Sequence, residues 1–185
     1  MTYRLHDVKV LVVDDMPPML SLTKSILKIF GFTNVIGAVN GEDAFHEFTF
    51  GKPDIIITDW LKGPFTGLDL IEKIRKAPKS ENPFVPVILM TGYTSRARVE
   101  QARDHGVTEF LMKPFSARDL YSRIVQVIEK PRQFVDSPNF FGPDRRRRKN
   151  VVYSGVGKRE TDVSSELNEE MDLILKDLHE SVKKL

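Results

Sequence analysis

The chain has 185 residues, 41% hydrophobic and 29% charged, enough for one ordinary globular domain plus a surplus too short for a second, which excludes most two-domain enzymes. Lys plus Arg 28 against Asp plus Glu 26 gives a net charge of +2, so no global field calls for nucleic acid or an anionic membrane. Zero Cys excludes disulfides, thiolate zinc sites and Cys nucleophiles, and the longest apolar run, Phe84 to Met90, is far below the ~20 residues of a membrane span, so a reducing cytoplasm is the expected setting.

Five short runs rich in β-branched residues read as strands: Val8 to Val13, Thr33 to Val39, Asp54 to Thr58, Val85 to Met90 and Thr108 to Met112. Helix-length segments separate them. In the first, Met16, Leu20, Thr23, Leu27 and Phe30 recur at helical spacing and Gly31 stands where a C-terminal cap belongs. Gly41 to Phe50, Leu68 to Lys76, Ser95 to His105 and Ser116 to Ile128 repeat the pattern. Nearly continuous apolar strands alternating with amphipathic helices predict a doubly wound α/β domain over residues 1–130, a five-stranded parallel sheet covered on both faces. Residues 131–160 mix Pro, Gly, Asn and aromatics without either periodicity and read as an extended linker, although Phe134, Phe140 and Phe141 could instead fold back onto the domain. Within it, Arg145 to Lys149 is a run of five positive charges. From Thr161 to Leu185 the helical period returns: Val163, Leu167, Met171, Ile174, Leu178, Val182 and Leu185 form one stripe with acidic flanks, a C-terminal helix suited to partner contact or self-docking.

Ligands of such sheets sit beyond the carboxyl ends of the strands. There the sequence places Asp14 and Asp15, then Asp59, then Thr91 and Gly92, then Lys113 and Pro114. Three carboxylates gathered at one edge repel one another unless a cation sits among them, and Mg²⁺, a hard cation with oxygen ligands, suits that task. A lysine and a hydroxyl beside them complete a clamp for a phosphoryl group, which a carboxylate could receive by in-line attack as an acyl phosphate. Asp residues at strand ends also cap turns, but the joint pattern of acid pair, acid, hydroxyl and Lys-Pro after separate strands is much more specific. Other motifs are missing: GVGKRE at Gly155 lacks the spacing of a phosphate-cradling loop, no G-x-S-x-G or H-E-x-x-H occurs, and the four His residues are scattered.

The segments VLVVDD, IIITDW, ILMTGYT and FLMKPF resemble the four signatures of the response-regulator receiver domain of bacterial two-component signalling, a resemblance covering residues 5–130. It implies a CheY-like, flavodoxin-type fold with Asp59 as phosphoacceptor, Asp14, Asp15 and the Leu61 backbone carbonyl with Asp59 around Mg²⁺, and Thr91 and Lys113 on the phosphoryl group. It further implies a cis Lys113-Pro114 bond, a switch role for Thr91 and Phe110, and an output surface on the fourth helix, fifth strand and fifth helix that includes Arg96, Arg98, Arg103 and Phe110. One departure is Gly63, where the family usually has proline, which leaves the path of that loop open. Leu61 and Tyr93 are placed to flank the phosphoryl group and slow its hydrolysis, or else simply to pack against the loop.

The function expected is therefore a bacterial, cytoplasmic response regulator without a classical enzymatic activity, taking a phosphoryl group from a sensor histidine kinase or phosphotransfer protein and acting on a downstream protein. A phosphate carrier or sink in a phosphorelay, and a nucleic-acid regulator working through Arg145 to Lys149, remain open. Against the latter, residues 131–185 carry no helix-turn-helix pattern. The C-terminal stripe, centred on Leu167, Met171, Ile174 and Leu178, is expected to dock on the output surface within one chain or across a dimer.

Overall fold

The computed structural model describes residues 5–77, 80–92, 95–137 and 140–144. Five parallel strands, β1 (Lys9–Val13), β2 (Asn34–Ala38), β3 (Ile55–Asp59), β4 (Val87–Thr91) and β5 (Glu109–Met112), alternate with α1 (Pro17–Ile29), α2 (Gly41–Gly51), α3 (Gly67–Lys76), α4 (Arg96–Asp104) and α5 (Ala117–Glu129). The sheet order is β2-β1-β3-β4-β5. The chain winds outward in opposite directions from β1 and β3, which leaves a crevice beyond their carboxyl ends.

Strand side chains alternate between two cores, as the period of two requires. Val10, Val12, Ile55, Ile57, Ile88 and Met90 meet Leu27 of α1 and Leu120, Ile124 and Val127 of α5. Leu11, Val13, Ile56, Val87 and Leu89 meet Ala44 and Phe48 of α2, Leu70, Ile71 and Ile74 of α3, and Ala102 of α4. With both faces covered, the strands can be apolar throughout. Each helix boundary has a local cause. Asn40 accepts from the Asp43 backbone N–H at the start of α2, and reciprocal capping boxes, Thr66 with Asp69 and Ser116 with Asp119, open α3 and α5. Gly31 follows α1 with φ +97°, as the expected cap requires. The fourth strand begins two residues later than expected, because Pro86 has no N–H for the ladder and contributes only its carbonyl, to Ile56.

The stretch expected as an extended linker differs in its described part. Strands β6 (Phe134–Ser137) and β7 (Phe140–Pro143) pair antiparallel and fold back on the amino ends of β4 and β5. Phe134 and Phe141 pack with Phe84, all three ring pairs lying 5.2–5.6 Å apart. Beneath them the Arg75 guanidinium, buried at the end of α3, donates to Gly106 O at 3.1 and 3.2 Å and to Pro83 O at 2.6 Å, and lies 5.1 Å from the Phe134 ring. A Cβ on Gly142 would come within 2.9 Å of the Gly106 Cα, so the hairpin sits glycine against glycine. Arg132 closes the junction, 2.6 Å from the buried Glu109 carboxylate. The aromatics therefore belong to the domain's packing. Arg145 to Lys149 and the C-terminal stripe lie outside the described residues.

Because Phe134 is nearly fully buried, Phe134→Ala is expected to lower the unfolding free energy of the full chain by roughly 3 kcal/mol. Urea denaturation measures this; a change below about 1 kcal/mol would mean the hairpin does not hold on to the domain in solution.

Candidate functional site

The crevice at the β1/β3 switch is acidic. Asp14 follows β1 directly, held by a backbone bond from its N–H to Ala38 O at 3.1 Å, and its Oδ1 accepts from the Met16 N–H at 2.9 Å. This Asx-type turn carries the chain from the sheet into α1 and fixes where the carboxylate points. Asp15 comes next, its Oδ2 accepting from the Lys62 N–H at 3.3 Å, so the loop after β3 is tied to the loop after β1. Asp59 is the last residue of β3 and Thr91 the last of β4, one position inside the ladder from where the sequence pattern put them. Carboxylate oxygens of Asp14, Asp15 and Asp59 lie within 4.8 Å of one another.

Lys113 reaches into this cluster from the end of β5. Its Nζ is 3.0 Å from Asp14 Oδ2 and 3.0 Å from Asp59 Oδ2. Its position is fixed by its backbone N–H, which donates to Thr91 O at 2.8 Å, and by the cis Lys113-Pro114 peptide that follows. Burial disfavours the ammonium charge, but the hydrogen bonds to Asp59 and Asp14 outweigh it, and the Lys113 pKa is raised above the ordinary lysine value. Asp14 is fully buried, whereas Asp59 and Lys113 keep 18% and 20% of their side chains exposed. The Asp59 carboxylate is thus reachable from solvent while that of Asp14 is not.

The loop after Asp59 is shaped by backbone that only certain residues tolerate. Leu61 has φ +56° and Gly63 φ +129°; proline, locked near −65°, could not take the second. Gly67 opens α3 so close to the strand end that a Cβ there would meet Asp59 O at 2.2 Å, and its N–H donates to Trp60 O at 2.7 Å. Gly41 likewise leaves the space filled by the Phe65 ring. The Leu61 side chain is buried in the core formed with α2 and α3. Tyr93 lies outside the described residues. Around the site, Phe110 is half-buried against the same core, and Arg98 of α4 lies 5.2 Å from the Trp60 ring. Arg96 is highly exposed and paired with Glu100 at 2.7 Å. Arg103 lies in the last turn of α4. Of these supports, Gly41, Gly67 and Trp60 carried no sequence signal beyond a glycine opening each of two helices.

The fold is thus a doubly wound α/β domain with three carboxylates and a lysine at its switch point. Residues 10–125 match the response regulator receiver domain, and the chain belongs to that family. It is 32% identical over 122 residues to a Pseudomonas aeruginosa protein named chemotaxis protein CheY, covering 66% of this chain and 97% of that one. Over 124 residues it is 31% identical to chemotaxis protein CheY-3 of Vibrio cholerae, covering 67% and 94%. Among solved structures, Vibrio cholerae CheY4 aligns with a TM-score of 0.60 at 27% identity, over 65% of this chain and 98% of that one. A receiver domain protein from Clostridium thermocellum aligns at 0.59 and 30%, over 66% and 95%. These relatives cover about two thirds of this chain.

Since the folded Lys113 pKa lies above its unfolded value, the stabilisation from its ion pairs is complete below the ordinary lysine range and is lost as pH rises through the folded value. In metal-free buffer Lys113→Met is therefore expected to be less stable than the parent chain at neutral pH, with the difference in urea midpoint closing above about pH 10.4. A difference that stays constant across that range would place the stabilisation elsewhere.

Proposed function

We propose that this chain is a phosphorylation-switched response regulator in which Asp59 accepts a phosphoryl group from a sensor histidine kinase or a phosphotransfer protein. The observation that carries this reading is the Lys113 ammonium bridging Asp14 and Asp59 at 3.0 Å each, beside an acceptor that remains open to solvent. An Asp59 oxygen attacks phosphorus as the P–N bond to the donor imidazole breaks, giving an acyl phosphate on the protein and returning the imidazole. Lys113 then neutralises an equatorial phosphoryl oxygen at a site whose side chains otherwise repel it.

Receiver domains bind Mg²⁺ at an acidic cluster, and the residues here fit: three carboxylates within 4.8 Å, all-oxygen donors, and only the single Lys113 ammonium against them. When bound, the ion lowers the cost of bringing phosphoryl oxygens to this negative site. Asp14, Asp15, Asp59 and the Leu61 carbonyl are the groups to hold it, the last made available by the left-handed turn at Leu61. Thr91, buried at the end of β4, is the group to meet the phosphoryl oxygens on the side away from Asp15. Phe110, one strand further out and paired with Leu89 in the ladder, is the side chain to follow it, changing the α4-β5-α5 surface read by a downstream protein. Among the described residues no helix is long and apolar enough to cross a membrane. A cytoplasmic partner network is the setting this reading calls for.

Asp59→Asn is expected to abolish stable labelling by acetyl phosphate or a phosphorylated kinase, because an amide is a poor nucleophile; undiminished labelling would move the acceptor to another residue. Chelating Mg²⁺ is expected to stop labelling while circular dichroism stays unchanged, since both cores are built of apolar side chains that offer the ion no ligand. Unfolding on chelation would make the metal structural.

A further inference from the structure

The strand that delivers Lys113 is the shortest of the five. β5 has four residues, lies at the edge of the sheet and bonds to β4 alone. Lys113 follows it directly, so about 13 Å of extended chain separates this lysine from Glu109, the first residue of the strand. An edge strand is held along one side only. A displacement of β5 by about 1 Å would take the Lys113 Nζ, now 3.0 Å from both Asp14 and Asp59, beyond hydrogen-bond distance of one of them.

The far end of β5 is fastened by charge. Glu109 is 2% exposed, a burial that a carboxylate tolerates when it is paired. Arg132 Nη2 meets its Oε1 at 2.6 Å, and Arg123 of α5 approaches its Oε2 at 3.8 Å. Arg132 is secured in turn by the hairpin it leads into. Phe134 is buried against Phe84 and Phe141, the Asp144 N–H donates to Gln133 O at 2.7 Å, and Gly142 rests on Gly106 in the turn from α4 to β5. The hairpin thus grips both the turn that enters β5 and the first side chain of the strand. The aromatic rings are enough to cover this end of the sheet, and a buried ion pair adds little net stability over an apolar pair of the same shape. What a short charge-assisted hydrogen bond adds is a fixed position.

We infer that Arg132 is a positioning residue for Lys113: by holding Glu109, the docked β6-β7 hairpin sets where β5 lies along β4 and so keeps the Lys113 ammonium on the acid cluster. The inference rests on the reading of Asp59 as phosphoacceptor. It makes hairpin docking and occupation of the crevice by a phosphoryl group coupled equilibria, each favouring the other by the same factor. Residues beyond the receiver match, which ends at residue 125, thereby belong to the phosphoryl site's support.

Two substitutions in the full chain test this at saturating Mg²⁺, among variants whose circular dichroism matches the parent. Arg132→Met is expected to slow labelling of Asp59 by acetyl phosphate about tenfold, and Arg132→Lys, which keeps a cation there, to recover most of the loss. Gly142→Ala brings a Cβ within 2.9 Å of the Gly106 Cα and loosens the hairpin with Glu109 and Arg132 both present; it is expected to slow labelling too. The reciprocal effect needs no substitution. Hydrogen exchange of the amides in residues 132–144 of the parent is expected to slow about tenfold when Mg²⁺ and beryllofluoride, a phosphoryl mimic, are added. Folded variants that label at the parental rate overturn the inference, as do hairpin amides indifferent to beryllofluoride; Arg132 would then serve packing alone. A parent chain that does not label overturns the phosphoacceptor reading itself, and the inference with it.

Discussion

Three carboxylates within 4.8 Å of one another constitute a standing repulsion, and the protein is organised around holding them there. Lys113 offsets part of it by sitting 3.0 Å from both Asp14 and Asp59. One ammonium leaves an excess of negative charge, so the remainder must be resisted by backbone rigidity. That is supplied by setting each charged residue at or just beyond the end of a sheet strand, those carrying the aspartates, β1 and β3, being almost wholly buried. The loop after Asp59 cannot relax outward easily either, since Gly67 packs its backbone against Asp59 and Phe65 fills the space over Gly41. A preorganised cluster with this excess of carboxylates is suited to a divalent cation.

The opposite edge of the sheet handles buried charge differently. Arg75 has carbonyl partners in place of a carboxylate, three hydrogen bonds to Gly106 and Pro83 under the Phe134 ring, and burial pushes its guanidinium down to about 9, still charged at neutral pH. Glu109 is satisfied by Arg132. Both charges are paired and covered by the β6-β7 hairpin, so this end has no reason to bind an ion. Buried charge satisfied within the chain is structural; buried charge left in excess beside a partly exposed carboxylate marks a candidate functional site.

Much of this was legible in the residues. Period-two and period-3.6 patterns separated strands from helices because the parallel sheet is covered on both faces, and the candidate site residues stood out because strand ends are where such sheets place ligands. Asp59 and Thr91 were assigned one position too far out, since the ladder extends to the functional residue itself. The hairpin was hidden for a physical reason: its strands are four residues long, and the groups that bury Phe134 and Phe141, namely Phe84, Arg75 and Gly106, are distant in sequence. The aromatics hinted at burial but not at the surface that receives them. Leu61 was left between two readings because no sequence pattern marks a non-glycine residue for a left-handed φ, the conformation in which its side chain is buried in the core.

The central claim, that the acidic crevice directs phosphoryl transfer to one carboxylate among three, is tested most directly by locating the covalent product. Borohydride reduces an acyl phosphate to the alcohol, so a phosphorylated aspartate is recovered as homoserine and can be mapped by peptide mass spectrometry. After phosphorylation in Mg²⁺ and reduction, the account predicts homoserine at position 59 alone, with none when the ion is chelated. Homoserine at Asp14 or Asp15, or equal yield at position 59 without the ion, would contradict it.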